Sequence, residues 1–232
     1  TSKWLVGQGY SLDLQKSYRK SHWYQSIGTG AMVRTGDKVD YLGGLYALQS
    51  QLGFTVHPAG NTALSLLGKA HFLELSPKKV TLFANQKEKL PTWFKQYDWG
   101  LKIDYQTSTF LPPHLGLTEI EHKTFIINIS SPARAIMECL HMASEAQTLI
   151  EVHDIMEGLN NLRPDLVQSL LEQCGSVKVK RLFLYHAEQV GHKWFDYLNL
   201  EKINLGKGNR STVKNGVYIP KYQITVPKEL EM

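Results

Sequence analysis

The sequence predicts an α/β (α+β) protein: an N-terminal winged helix-turn-helix followed by a larger mixed α/β domain whose second half is rich in helix. Three observations carry this. Residues 1–34 set two short capped helical segments ahead of two apolar stretches joined by Gly28-Thr29-Gly30. Residues 79–84, 101–105 and 123–129 read as strands, by alternation or by continuous apolar runs. From Pro132 to about residue 198 helical periodicity takes over. The division that follows is a winged module at 1–38 and a second domain at 39–232, open to a subdivision near 88–93.

In the N-terminal module, Thr1 or Ser2 can cap a short helix with Trp4 and Leu5 as its apolar contacts, and Gly7 and Gly9 permit a sharp turn. Ser11 is a good cap for a second helix over 12–20, and Asp13 in its first turn suits the helix dipole. Leu14 and Tyr18, four apart, form an inward stripe, leaving Gln15, Lys16, Arg19 and Lys20 on other faces. Residues 23–34 then make a hairpin, a wing, with Gly28 and Gly30 supplying backbone angles that other residues resist.

In the body, 41–53 reads as a helix with Leu45, Leu48 and Leu52 on one face. Another covers 60–68, with Asn61 or Thr62 as cap and Ala63, Leu64 and Leu67 buried. Residues 79–84 and 101–105 are strands, and Pro91 opens a short helix between them. The run KTFIINI at 123–129 suggests a strand covered on both faces. Pro132 and Pro164 each open a helix; others cover 145–157, 176–187 and about 191–198. Residues 217–226 read as a strand interrupted by Pro220 and stopped by Pro227.

Charge is distributed unevenly. The chain carries +5 overall, made of +4 over residues 1–38, −4 over 39–175 and +5 over 176–232. A basic terminal module on a neutral or acidic body suits a partner rich in phosphate. On the helix-turn-helix plan the helix at 12–20 enters the major groove. Gln15 can pair with adenine, Lys16 and Arg19 reach guanine edges or phosphates, and Lys20 and Arg34 hold the backbone. The competing reading is a solvated basic helix face.

A second basic concentration lies at the C-terminus. Lys207 and Arg210 sit in the glycine-rich LGKGNR, with Lys178, Lys180, Arg181, Lys193, Lys202 and Lys214 nearby in sequence. Such a surface fits an acidic protein or a nucleic acid, and equally a solubilising role.

Catalysis finds little support. The nine histidines show no short His-x-x-x-His spacing and the two cysteines no Cys-x-x-Cys. Gly60 is not followed by the Gly-Lys-Ser/Thr of a phosphate loop. Gly175-Ser176 opens no paired-acid strand of the kind a two-metal nucleotidyl transfer needs. No enzymatic activity, no metal and no cofactor are expected. Cys139 and Cys174, too few for a disulfide framework, are expected to be core thiols of a cytoplasmic protein. No apolar run is long enough to span a membrane.

Four blocks of the chain together resemble one family. They are TSKWLVGQGYSLDLQKSYRKSHWYQSIGTGAMVRTGD, YLGGLYALQSQLGFTVHPAGNTALSLLG, SPARAIMECL, and LFLYHAEQVGHKWF with INLGKGNR and YQITVPKEL. The family is the AbiEi antitoxins of bacterial type IV toxin–antitoxin and abortive phage-infection systems. The likeness covers essentially the whole chain, and it implies a leading helix before TSKWL that is expected to be truncated here. It implies a winged helix that binds inverted repeats in the operon's own promoter and represses it. It also implies a larger domain that neutralises a cognate nucleotidyltransferase-type toxin, without a stable complex. Direct contact with the toxin stays open, as does a monomer in solution against a dimer on DNA. Arg134 falls in the family's SPARA block and could equally form a buried ion pair. Lys178, Lys180, Arg181, Lys207 and Arg210 are candidates for the antitoxic or partner surface. The alternative is an interaction module that binds an acidic partner through the basic C-terminal region. On the first reading the two functions should separate when the chain is cut near residue 38.

Overall fold

The computed structural model describes residues 1–69 and 78–231. These fall into two compact units. One holds the described residues of Thr1–His57, Pro77–Thr107 and Glu119–Asn128, the other those of Pro58–Ser76, Ser108–Thr118 and Ile129–Met232. In chain order the elements begin with α1 (Ser2–Gly7), α2 (Leu12–Lys20), β1 (Tyr24–Gly28), β2 (Ala31–Arg34) and α3 (Tyr41–Tyr46). A π-helical turn, Ala47–Gln51, prolongs α3. There follow β3 (His57–Pro58), α4 (Gly60–Leu66), β4 (Lys79–Ala84), α5 (Thr92–Gln96), β5 (Lys102–Thr107), β6 (Leu117–His122) and β7 (Phe125–Ser130). The helical half is α6 (Pro132–Met142), α7 (Ala146–Glu157), α8 (Pro164–Gln173) and α9 (Val177–Val190). Three short strands close the chain: β8 (Arg210–Ser211), β9 (Val217–Ile219) and β10 (Ile224–Val226).

The first unit is mixed. Thr1 caps α1 by accepting from the Trp4 amide, and Ser11 caps α2 by accepting from the Leu14 amide at 3.2 Å. β1 and β2 pair antiparallel, Tyr24 opposite Arg34, with an irregularity at Ser26–Gly28. Gly28 (φ +137°) lies directly on Trp93: a Cβ there would come within 2.8 Å of the Trp93 Cβ. Asp40 caps α3 through the Gly43 amide at 2.9 Å. β3, β4 and β5 form one sheet in that order, β4 and β5 parallel from Lys79–Lys102 to Ala84–Thr107. Leu45, Leu48, Leu82 and Phe94 are fully buried in this unit.

The second unit is built on two helices that bury most of their circumference. Residues 133–140 of α6 and 179–187 of α9 are all buried. Such helices need neighbours on most sides, and α4, α7, α8 and α9 all pack on α6. Arg134 and Glu138 pair across one turn of α6 at 2.8 Å. Glu138 also accepts from Ser130 Oγ at 2.7 Å and the Gly60 amide at 3.0 Å, while Arg134 donates to the Pro112 and Leu115 carbonyls. Both charges are thereby satisfied inside the core. Cys139 and Cys174 are free and buried, and burial raises both thiols.

Several expectations need correction. α4 starts at Gly60 with Ala59 as cap, not at Asn61 or Thr62, and the first helical amide is held by Glu138 rather than by a local side chain. β7 is not covered on both faces. Among the described residues it pairs with β6 alone, and Ile126 is 54% exposed while Ile127 and Ile129 are buried, the alternation of a half-covered strand. The helix expected at 191–198 is a 3-10 turn over Lys193–Tyr197, because Gly191 adopts φ +70° and ends α9. Pro220 does not merely interrupt a strand: the chain reverses there, so β9 and β10 pair antiparallel.

Candidate nucleic-acid interface

In the first unit, α1, α2 and the β1–β2 hairpin follow one another directly. Ser2 donates its amide to the Gly30 carbonyl at 2.9 Å, tying α1 to the hairpin turn. The Thr1 amine donates to Gln51 Oε1 at 2.6 Å. Lys16, Arg19 and Lys20 of α2 are exposed, and so is Arg34 at the end of β2. Among the described residues none of these four is in an ion pair, and Arg19 and Lys20 occupy the last turn of α2. The arrangement is a cluster of exposed cations on a helix and the hairpin behind it.

Gln15 is a correction. It is 1% exposed, and its amide donates to the Tyr10 carbonyl at 2.9 Å and the Ser2 carbonyl at 3.4 Å. It ties α2 to α1 and is withdrawn from any ligand. The inward stripe of α2 is centred on Gln15, and Leu14 faces solvent along with Leu12, Trp4 and Tyr10. Helical spacing alone puts Leu14 inside. The Tyr10 carbonyl in the α1–α2 turn takes a donor there, and an amide supplies one where a leucine cannot. Trp23, at the foot of β1, is 70% exposed.

The C-terminal candidates divide. Lys207 and Arg210 are exposed. Lys178 is half-buried and donates Nζ to the His141 and Ala143 carbonyls at the end of α6, where the helix dipole favours a cation. Lys180, 6% exposed, and Arg181, 1% exposed, are corrections: both lie inside, because α9 is buried nearly all round. Arg181 is the organiser of the loop that follows the 3-10 turns. Its Nε donates to the Leu205 carbonyl (2.9 Å), Nη1 to the Gly208 (2.6 Å) and Gln223 (3.1 Å) carbonyls, and Nη2 to the Gly206 carbonyl (3.2 Å) and Gln223 Oε1 (3.3 Å). Gly206 and Gly208 take positive φ to turn those carbonyls inward. Tyr218 of β9, 43% exposed, donates its hydroxyl to Asn209 Oδ1 at 2.8 Å. Periodicity does not single it out, since one exposed aromatic in a short edge strand reads as ordinary surface.

Among the described residues no group of three His, Cys, Asp or Glu converges as a metal site would. No helix among them is long and apolar enough to cross a membrane.

Two family models match the chain. "Transcriptional regulator, AbiEi antitoxin N-terminal domain" matches residues 1–75, and "Transcriptional regulator, AbiEi antitoxin, Type IV TA system" matches residues 77–227. No curated protein matches. Among solved structures, the RV2827C protein from Mycobacterium tuberculosis is similar, with a TM-score of 0.56 at 14% identity, over 92% of this chain and 78% of that one. At that identity the likeness is one of fold.

Proposed function

Because this chain belongs to the AbiEi antitoxins of type IV toxin–antitoxin systems, a family of DNA-binding regulators, we propose that α1, α2 and the β1–β2 hairpin act as a winged helix-turn-helix that represses the protein's own promoter. The observation that carries the reading is the set of exposed cations Lys16, Arg19 and Lys20 on α2, with Arg34 on the hairpin, none of them in an ion pair among the described residues. A helix lying in the major groove needs such a face, and a wing behind it needs a backbone contact. Inverted repeats would seat two copies, one per half-site, about one helical turn apart. With Gln15 buried, sequence preference falls to Lys16 and Arg19.

Antitoxic action against a nucleotidyltransferase-type toxin is assigned to the second unit, with Lys207 and Arg210 as its candidate residues. It operates without a stable complex. Promoter binding is tested by titrating a labelled promoter duplex across a range of salt. Lys16→Ala/Arg19→Ala should weaken binding at least tenfold and lower the salt slope by about 2. Unchanged affinity and slope would remove α2 as the reading helix. The antitoxic role is read separately, by growth rescue when the same variants are co-expressed with the toxin: rescue should survive Lys16→Ala/Arg19→Ala and fail with Lys207→Ala/Arg210→Ala.

A further inference from the structure

Residues 202–228 contain six lysines and arginines and no aspartate or glutamate. Within that stretch the cations Lys207, Arg210 and Lys214 are exposed. Beneath the loop at 205–210 lies Arg181, fully buried, whose five donated hydrogen bonds all end on uncharged oxygens. A buried guanidinium ordinarily has a carboxylate nearby. Here burial first, and the charge of Arg210 second, oppose the protonation of Arg181. The nearest carboxylate along α9, Glu188, is already engaged by Lys221 and Tyr222. Among the described residues no carboxylate pairs with Arg181, Lys207, Arg210 or Lys214.

The backbone adds to it. In a trans peptide the carbonyl and the next amide point opposite ways. Arg181 draws the Gly206 and Gly208 carbonyls inward, so the Lys207 and Asn209 amides turn outward. Among the described residues neither amide has a protein acceptor. Outward amides two residues apart, around residues of alternating φ sign, form a concavity suited to an anion. Arg210 spends one donor on the neighbouring Asn209 carbonyl, and among the described residues the rest of its fork has no acceptor. Tyr218, hydrogen-bonded to Asn209, sets an exposed aromatic ring beside this anion seat.

We propose that the loop 205–210 with Tyr218 binds single-stranded nucleic acid, with phosphates on Lys207, Arg210 and the outward amides and an unpaired base stacked on the Tyr218 ring. The combination of a basic track with an adjoining aromatic face is what single strands require. In a duplex the base faces are covered, so the ring would contribute nothing. The site deepens the reading of Lys207 and Arg210 as a functional surface and owes nothing to α2.

The test uses the full chain and three fluorescent probes: a 12-nucleotide oligo-U, the matching oligo-dT, and an unrelated duplex of that length. The wild type should bind one or both single strands more tightly than the duplex at low salt; a preference between them identifies RNA or DNA as the source. Lys207→Ala/Arg210→Ala should weaken single-strand binding at least tenfold and lower the salt slope by about 1.4, the value for two phosphates on a single strand. Tyr218→Ala should weaken it roughly 5- to 150-fold, and Tyr218→Phe should retain most of it. Lys16→Ala/Arg19→Ala should leave it unchanged, which keeps the outcome separate from promoter binding. Unfolding midpoints are taken for every variant, and Lys207→Gln/Arg210→Gln replaces the alanine pair if that pair is destabilised. Equal affinity for duplex and single strand overturns the proposal, as do variants that bind like wild type. A poly-glutamate peptide that competes at equal charge concentration overturns it too, in favour of an acidic protein. Should toxin rescue fail in Lys207→Ala/Arg210→Ala while single-strand binding persists, the surface is antitoxic by another chemistry.

Discussion

At the residue scale, two buried polar groups set how the protein responds to acid and to truncation. His186 of α9 is buried against His153 of α7, Nδ1 to Nδ1 at 3.2 Å. One ring must donate and the other accept, so the two rings cannot both be protonated while the contact stands. Burial first, and His153 second, push His186 down to about 3. On unfolding it returns to about 6.5 and takes up a proton. Its contribution is therefore complete above about pH 6.5 and is lost as pH falls toward 3. From this group alone, denaturant titrations should find the protein about 2 kcal/mol less stable at pH 5 than at pH 7, and His186→Leu should flatten that difference. The ion pair of Arg134 and Glu138 is the other case. Glu138→Ala leaves the Arg134 guanidinium buried without its carboxylate and should cost about 3–5 kcal/mol by chemical denaturation. That Arg134 could make such a pair was legible from SPARA, because an arginine and a glutamate four apart share a helix face. The further partners, Ser130 and the Gly60 amide, come from distant segments and carry no local signal.

At the scale of elements, the N-terminal helices and hairpin were the most legible part of the chain. Their boundaries follow from Ser11, Asp13, Gly28 and Gly30, all of which act locally. What they rest on was not legible. Gly28 is needed for its φ of +137°, but also because its bare Cα faces Trp93, some 65 residues later in the chain. Gly28→Ala meets both penalties and should lower stability by more than about 1 kcal/mol, with a drop in thermal midpoint that Gly30→Ala matches only in its backbone part. The same contact bears on cutting the chain near residue 38. A 39–232 fragment uncovers Trp93 and frees Gln51 from Thr1, so it should unfold at a lower temperature than the full chain by circular dichroism. Point variants on α2 are the cleaner way to separate the two functions. The rotation of α2 that buries Gln15 in place of Leu14 was hidden for a related reason: helical spacing ranks residues by apolarity, and here the Tyr10 carbonyl takes its donor from Gln15.

At the scale of the whole chain, charge was legible and its architecture was not. The basic ends are plain in the sequence, yet of the C-terminal candidates only Lys207 and Arg210 lie fully at the surface, with Lys178 half-buried and Lys180 and Arg181 inside. A helix that is buried all round takes its cations with it, and nothing in the periodicity of a basic, apolar segment says how many neighbours it will have. The loop that Arg181 anchors has a consequence for handling the protein. Trypsin cuts after lysine and arginine, and glycine-rich basic loops are ordinarily its first targets. To enter a protease cleft, however, the segment must extend, and extension would tear the Leu205, Gly206 and Gly208 carbonyls from a buried guanidinium. The bonds after Lys207 and Arg210 should therefore outlast more shielded-looking sites in a timed digest read by mass spectrometry, and Arg181→Met should make them among the first to go.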